Sequence, residues 1–299
     1  LKKNEIEIME NIFIPKGFKV LLKPNQKIFL RNNAFLISDS AFVANGGKKE
    51  GEGMIEIGGI EKNNGGGILI KNTSDLNFFQ NVLFKNLNGN IDFIPEGYVA
   101  YGAINFFNSK VHFNNFSFEN INSEDAINFV KSEINVKNGT FNNIKSDAID
   151  VDHGNGKIEK LKILNVLNDG IDFSESKVDV SEIYFENIGD KSVSAGENSS
   201  IKIENINILN SYLGIVSKDG STVFGKNLKH LNVTIPYASY LKKKEYSKPI
   251  LNILNGNHEN YEKLYLKDNL ANITIDKEKK LEITKDILGL IYDPIKRIQ

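Results

Sequence analysis

The chain has 299 residues, 40% of them hydrophobic, and its 37 Lys and Arg nearly balance 38 Asp and Glu for a formal net charge of −1. That is apolar material enough for a real core, at a length that solenoids fill as one unit, and the balance argues against a nucleic-acid partner. The lack of Cys excludes disulfides, thiolate metal sites and a cysteine nucleophile, and no apolar run reaches the roughly 18 residues of a membrane-spanning helix.

In chain order, residues 1 to 80 combine apolar alternation, as in FKVLLKPNQKIFL from Phe18, with the glycine turns ANGGKKEGEG and NNGGG. They read as less regular early coils of a repeat that becomes plain further on. The segment NIDFIPEGYVAYG, residues 90 to 102, lengthens one coil by about a dozen residues and predicts a loop thrown out from its side. A start without Met reads as a mature or excised fragment.

The repeat is clear from residue 81 to 250. Asparagines recur at 86, 120, 143, 165, 187 and 210, and from Asn120 onward the interval is 22 or 23. A second column runs through Ala103-Ile104, Ala126-Ile127, Ala148-Ile149, Gly170-Ile171, Ser192-Val193 and Gly214-Ile215. A third holds Val111/Phe113, Ile134/Val136, Val178/Val180 and Ile201/Ile203. Three short alternating segments per 22 residues, punctuated by Asn, Gly and Ser, describe three strands and three turns per coil. The predicted fold is therefore all-β: a right-handed parallel β-helix, a three-sheet solenoid. Stacked asparagines suit its corners, because Asn tolerates the left-handed backbone of a tight turn and can hydrogen-bond along the stack.

Beyond Pro249 the repeat fades. NITIDKEKKLEI predicts a hairpin, and TKDILGLIY a short helix with Thr284 as its N-cap. The expected division is a β-helix over residues 1–255 and a C-terminal capping segment over 256–299, since the last edge of a solenoid needs cover.

The strand alternation selects the residues available for chemistry. In DAIDVDHG, Ile149 and Val151 point inward, which sends Ala148, Asp150 and Asp152 outward. The same rule sends out Asp172 and Ser174, then Ser194 and Gly196, then Val216 and Lys218, with Ala238, Tyr240 and Lys242 continuing the row. Beside them Asp125, Asp147, Asp169 and Lys191 stand at 22-residue intervals. Carboxylates stacked about 4.8 Å apart repel by a few kcal/mol at an effective dielectric of about 20. Relief comes from a bound cation, a raised pKa, neighbouring lysines or water. The alternative is that these acids simply cap backbone amides at coil corners.

Asp147, Asp150, Asp169 and Asp172 form a candidate all-oxygen site that suits Ca²⁺ rather than zinc. Lys191 and Lys218 are candidate bases for removing the proton α to a uronate carboxyl, with Asp152 and His153 as acid–base partners. Glu197, Asp219, Tyr240, Lys242 and Lys244 are candidate substrate-binding residues, an aromatic ring beside charge. Nothing in the pattern asks for an organic cofactor. Asp150 and Asp172, one coil apart, also lie near the carboxylate separation of retaining glycosidases.

With those residues in view, the chain resembles the right-handed β-helix repeat domains of bacterial surface proteins that accompany spore-coat-H-type kinase modules. It is more distantly similar to the pectate-lyase superfamily of carbohydrate-active β-helices. SEDAINFVKSEINVKNGTF, SDAIDVD, DGIDFSESKV, IGDKSVSAGENS, LGIVSKDGS and YLKKKEY carry the likeness over residues 100 to 250. The resemblance implies an extracytoplasmic bacterial protein, secreted, periplasmic or on the cell surface, possessing further domains. From the pectate-lyase side it implies Ca²⁺ on Asp150 and Asp172 with an arginine as base. The only arginines are Arg31 and Arg297, so the expected form is a lysine- or histidine-assisted lyase or uronate C5-epimerase acting on an acidic polysaccharide. The alternatives are a noncatalytic glycan-binding or adhesin module and a glycoside hydrolase.

Overall fold

The computed structural model describes residues 4–47, 53–62, 65–89 and 97–292. Among them, strands stack in parallel register into about eleven turns of a right-handed β-helix. The one antiparallel pair is the hairpin of Asn272–Ile275 with Glu278–Lys279, where the sequence places it.

Three sheets run the length of the solenoid. The first, called the site sheet below, contains Gly102–Phe107, Asp125–Val130, Asp147–Asp152, Ile171–Ser174 and Lys191–Gly196, then the final stretches of Ser200–Lys218 and Thr222–Tyr240. Long strands such as Lys110–Ile121 and Glu133–Ile144 bend once and supply the other two sheets. Inward positions build continuous apolar columns: Ile104, Ile127, Ile149 and Ile171 stack in register and are buried. Phenylalanine rings stack along the axis as well, Phe79 on Phe113 at 4.5 Å and Phe118 on Phe141 at 4.8 Å between centroids. Each such ring contributes about 1.5–3 kcal/mol by burial.

The corners explain the asparagines. Asn86, Asn120, Asn143, Asn165, Asn187 and Asn210 all have φ between 49° and 61°, the left-handed region where Asn is among the few tolerated side chains. Their carboxamides bond from coil to coil, Asn120 donating to Asn86 at 3.3 Å and Asn187 to Asn165 at 2.9 Å. A second ladder climbs the other bend through Asn81, Asn115, Asn205, Asn227 and Asn255. Its period is hidden in the sequence because Lys160 and Glu182 take the same left-handed corner in two coils.

Two irregularities have structural explanations. The long coil is real: Lys110 pairs with Leu76, 34 residues back, and residues 97–101 return to lie on the site sheet, while 90–96 fall outside the described residues. Parallel pairing also continues past Pro249 to Ile275, since Thr222 pairs with Ile250 and Ile250 with Asn272. The lysine-rich turn before Ile250 stretches one repeat to 28 residues, which breaks the period without ending the solenoid.

The short helix α1, Ile287–Tyr292, is capped by Asp286, whose carboxylate accepts from the Gly289 amide at 3.2 Å. Thr284, the expected cap, instead accepts from the Lys267 amide at 3.2 Å and ties the tail to the last strand of the site sheet.

Candidate functional site

Register fixes two outward columns on the site sheet. One reads Asn105, Asn128, Asp150, Asp172, Ser194, Val216, Ala238; the other reads Phe107, Val130, Asp152, Ser174, Gly196, then Lys218 and Tyr240. Both ends of this face are roofed. Residues 97–101 cover the first coils, with Tyr98 edge-on to Phe107 at 5.1 Å and Ala100 packed with Phe35, Ile37 and Leu69. At the other end Ile287 and Ile291 of α1 cover Val216, Ala238 and Tyr240. Between the roofs, Asp150, Asp152, Asp172 and Ser174 keep partial exposure.

The second roof corrects the expectation for Tyr240. It faces outward but is fully buried, its hydroxyl 2.7 Å from that of Tyr292, so it is unavailable to a substrate. Asp219 is buried too, accepting the backbone amides of Lys242 at 2.6 Å and Lys243 at 2.7 Å. Its work is to anchor that turn. Lys242 lies 4.6 Å over the Tyr292 ring, and Lys244 is exposed. Glu197 does border the strip: it accepts from Ser174 Oγ at 2.7 Å and pairs with Lys243. His153 sits at the corner after Asp152, half exposed, with Nδ1 2.9 Å from Glu175.

The lysines are held differently from what a base requires. Lys191 is buried, its ammonium 3.3 Å from Asp169 and against Asp190. Burial works to lower its pKa, but Asp169 and Asp190 outweigh that and hold it above the ordinary lysine range. Lys218 lies flat across Gly196, where a Cβ would come within 2.8 Å of its Cε, and reaches Asp172 at 3.6 Å. Burial again opposes the charge, and Asp172 and Asp169 again overcome it. A general base needs a neutral amine; both of these remain ammonium ions and serve as counter-charges.

The carboxyls show the reverse. Burial, then the Asp169 charge, pushes Asp147 up to about 7, and burial raises Asp169 to about 6 despite Lys191. Asp125 and Asp150 are pushed well above the ordinary carboxyl range, first by burial and next by Asp147 and Asp125 respectively; Asp152 is raised by burial and then by Asp172. Asn128 sits among them, donating to Asp150 at 2.8 Å and to Asp125 at 3.4 Å. Its own buried carbonyl oxygen lacks a partner, the place where a protonated carboxyl can donate.

Asp147, Asp169 and Asp172 each offer an oxygen within 4.8 Å of the others, whereas Asp150 stands outside that group. All-oxygen donors match Ca²⁺ in type. The fit is poor in charge, because Lys191 and Lys218 already lie against Asp169 and Asp172, and Asp147 Oδ1 already accepts the Asp169 amide. The residue that completes the site but escapes the sequence reading is Asp190, whose one sequence signal is its place beside Lys191. Ser174, already sent outward by the alternation, and Lys243, in the lysine run after Tyr240, join it through Glu197.

No family model and no curated protein matches the chain. Among solved structures it aligns with the catalytic domain of a GH87 alpha-1,3-glucanase in complex with nigerose, at 13% identity and TM-score 0.48, over 89% of this chain and 63% of that one. It also aligns with endopolygalacturonase I from Stereum purpureum complexed with two galacturonates, at 10% identity and TM-score 0.24, over 91% and 94% of the two chains. The Streptococcus pneumoniae surface protein and adhesin PfbA aligns at 11% identity and TM-score 0.22, over 91% of each chain. The chain thus spans 63% of the length of the glucanase domain.

Proposed function

We propose that the protein is a carbohydrate-active β-helix whose acidic strip cleaves a glycosidic bond by acid–base catalysis. The carrying observation is that neighbouring strands present Asp150, its proton retained by burial and the surrounding acids, beside Asp172, faced by the Lys218 ammonium at 3.6 Å. A carboxyl that keeps its proton beside one that faces an ammonium group matches the division of labour in glycoside hydrolysis. Asp150 protonates the leaving oxygen as the anomeric C–O bond breaks, Asp172 faces the forming cation, and the water that adds to that cation returns its proton to Asp150. Asn128 positions Asp150. Lys191 and Lys218 balance charge, and no step requires them to deprotonate.

Lyase or C5-epimerase action on an acidic polysaccharide is the second reading; the oxygens of Asp147, Asp169 and Asp172 match a cation in donor type, but Lys191 and Lys218 already lie against two of them. The test is a panel of neutral glycans and polyuronates, read in parallel for new reducing ends and for unsaturated uronate absorbance. Reducing ends from a neutral glycan, lost in Asp150→Asn and Asp172→Asn and indifferent to chelator, support hydrolysis. Chelator-sensitive unsaturated product replaces it with the lyase reading, chelator-sensitive uronate inversion with the epimerase one. Glycan binding without turnover leaves a noncatalytic module, with extracytoplasmic display as its natural setting.

A further inference from the structure

The roof over residues 97–101 does more than close one end of the strip. Between it and the sheet lies a hollow of about 620 Å³ that opens onto Asp152, within the size range of small-ligand sites. Its walls are Tyr98, Val99 and Tyr101 on the roof and Phe107, Asn108 and Val130 on the sheet. Val99 is 51% exposed and Tyr101 50% exposed, so an aromatic ring stands open to solvent in the hollow that Asp152 also lines. Tyr98, by contrast, is fixed. Phe107 meets its ring edge-on at 5.1 Å, the Lys71 ammonium lies 5.1 Å from its centroid, and its hydroxyl accepts from the Asn72 amide at 2.7 Å. Lys71 is itself pinned by Asp39 at 2.6 Å, and Asn108 donates to Asn72 at 3.2 Å. A ring held in place with amides around it is a preorganised part of the surface, which lowers the ordering cost of binding.

We propose that this hollow is a sugar subsite, holding an uncharged pyranose unit of a glycan that runs on past Asp152 towards Asp172. The charged groups lining it are Lys131 and Asp152, one of each sign, so a neutral ring suits it and a uronate gains no net attraction. The apolar face of a pyranose stacks on Tyr101, while its hydroxyls meet Asn108 and the Tyr98 hydroxyl, which accepts from Asn72 and can donate onward. The proposal rests on the hydrolytic reading only for the path of the glycan along the strip.

The test measures binding of short neutral oligosaccharides, fragments of α- and β-glucan, xylan and mannan, and of oligogalacturonate, to the Asp172→Asn protein by calorimetry. At least one neutral fragment should bind more tightly than oligogalacturonate. Tyr101→Ala should weaken that binding about three- to tenfold, the range of one aromatic stacking contact, and Tyr101→Phe should retain it. Unchanged affinity in a folded Tyr101→Ala protein overturns the subsite, as does failure of every neutral fragment to bind or a preference for oligogalacturonate. Tyr101-dependent binding without cleavage by the wild-type protein would sink the hydrolytic reading and leave the subsite standing. Cleavage with an unchanged KM in Tyr101→Ala would do the opposite.

Discussion

Two polar columns climb this solenoid at the same pitch and reach opposite balances. At the corner leading into the site sheet, each Asn carboxamide carries a donor and an acceptor, so Asn143 gives to Asn120 at 2.5 Å and Asn187 to Asn165 at 2.9 Å. One turn of backbone away, Asp125, Asp147 and Asp169 stand in the same stacked relation, yet an ionised carboxylate can only accept. Donors come from other groups: the Asn168 amide and Asp169 N–H for Asp147, and the Lys191 ammonium for Asp169. What remains unbalanced is held as protons. A coil repeat produces columns automatically; the chemistry of the repeated side chain decides whether a column stabilises the rod or stores charge for another use.

The largest way to break that contrast is at the proposed catalytic pair. Asp172→Asn should reduce turnover of a cleaved glycan by about a thousandfold or more while leaving the fold intact, measured as kcat with the melting temperature as control. Comparable turnover would return the Asp column to a structural role.

Next is stability against pH. Asp147 titrates at about 7 in the fold against an ordinary 3.8, so folding favours its protonated form. That contribution is complete below about pH 4 and is lost as pH rises through 7. Asp147→Asn should therefore gain about 2–4 kcal/mol by denaturant unfolding at pH 8 and nothing at pH 4.

His230 supplies the opposite slope. It is buried against His258 at 5.3 Å and Tyr237 at 5.1 Å, and burial lowers its pKa to about 3 from 6.5. Its stabilisation is complete above pH 6.5 and is lost as pH falls towards 3. His230→Leu should flatten the acid side of the stability profile by about 1–2 kcal/mol at pH 5. The smallest effect belongs to the Asn ladder: Asn143→Ala should cost about 1 kcal/mol, and Asn143→Gly, which keeps the left-handed corner, less. Equal losses would place the cost in the side-chain hydrogen bond instead of the backbone.

Much of the architecture was legible from spacing. The 22-residue recurrence places Ile149 over Ile127 and Asp172 over Asp150, as the register has them. The inward and outward assignment followed because a strand side chain alternates by residue. The site was legible only in part, since direction is local and accessibility is not. Tyr240 points outward as the alternation requires, but α1 returns some 50 residues later to bury it. Lys191 and Lys218 were correctly placed near the acids, yet their protonation depends on how closely Asp169, Asp190 and Asp172 approach them. Thr284 had the right type for a helix cap, but the last strand of the site sheet claimed its hydroxyl.

By itself the sequence determined the coil, its pitch, its asparagine corners and the row of acids, because each is a periodic or nearest-neighbour property. Tertiary structure alone decided where that row is open. The roof of 97–101 and the returning helix α1 join segments whose separation no period encodes, and burial between them sets which carboxyls keep their protons and which lysines keep their charge.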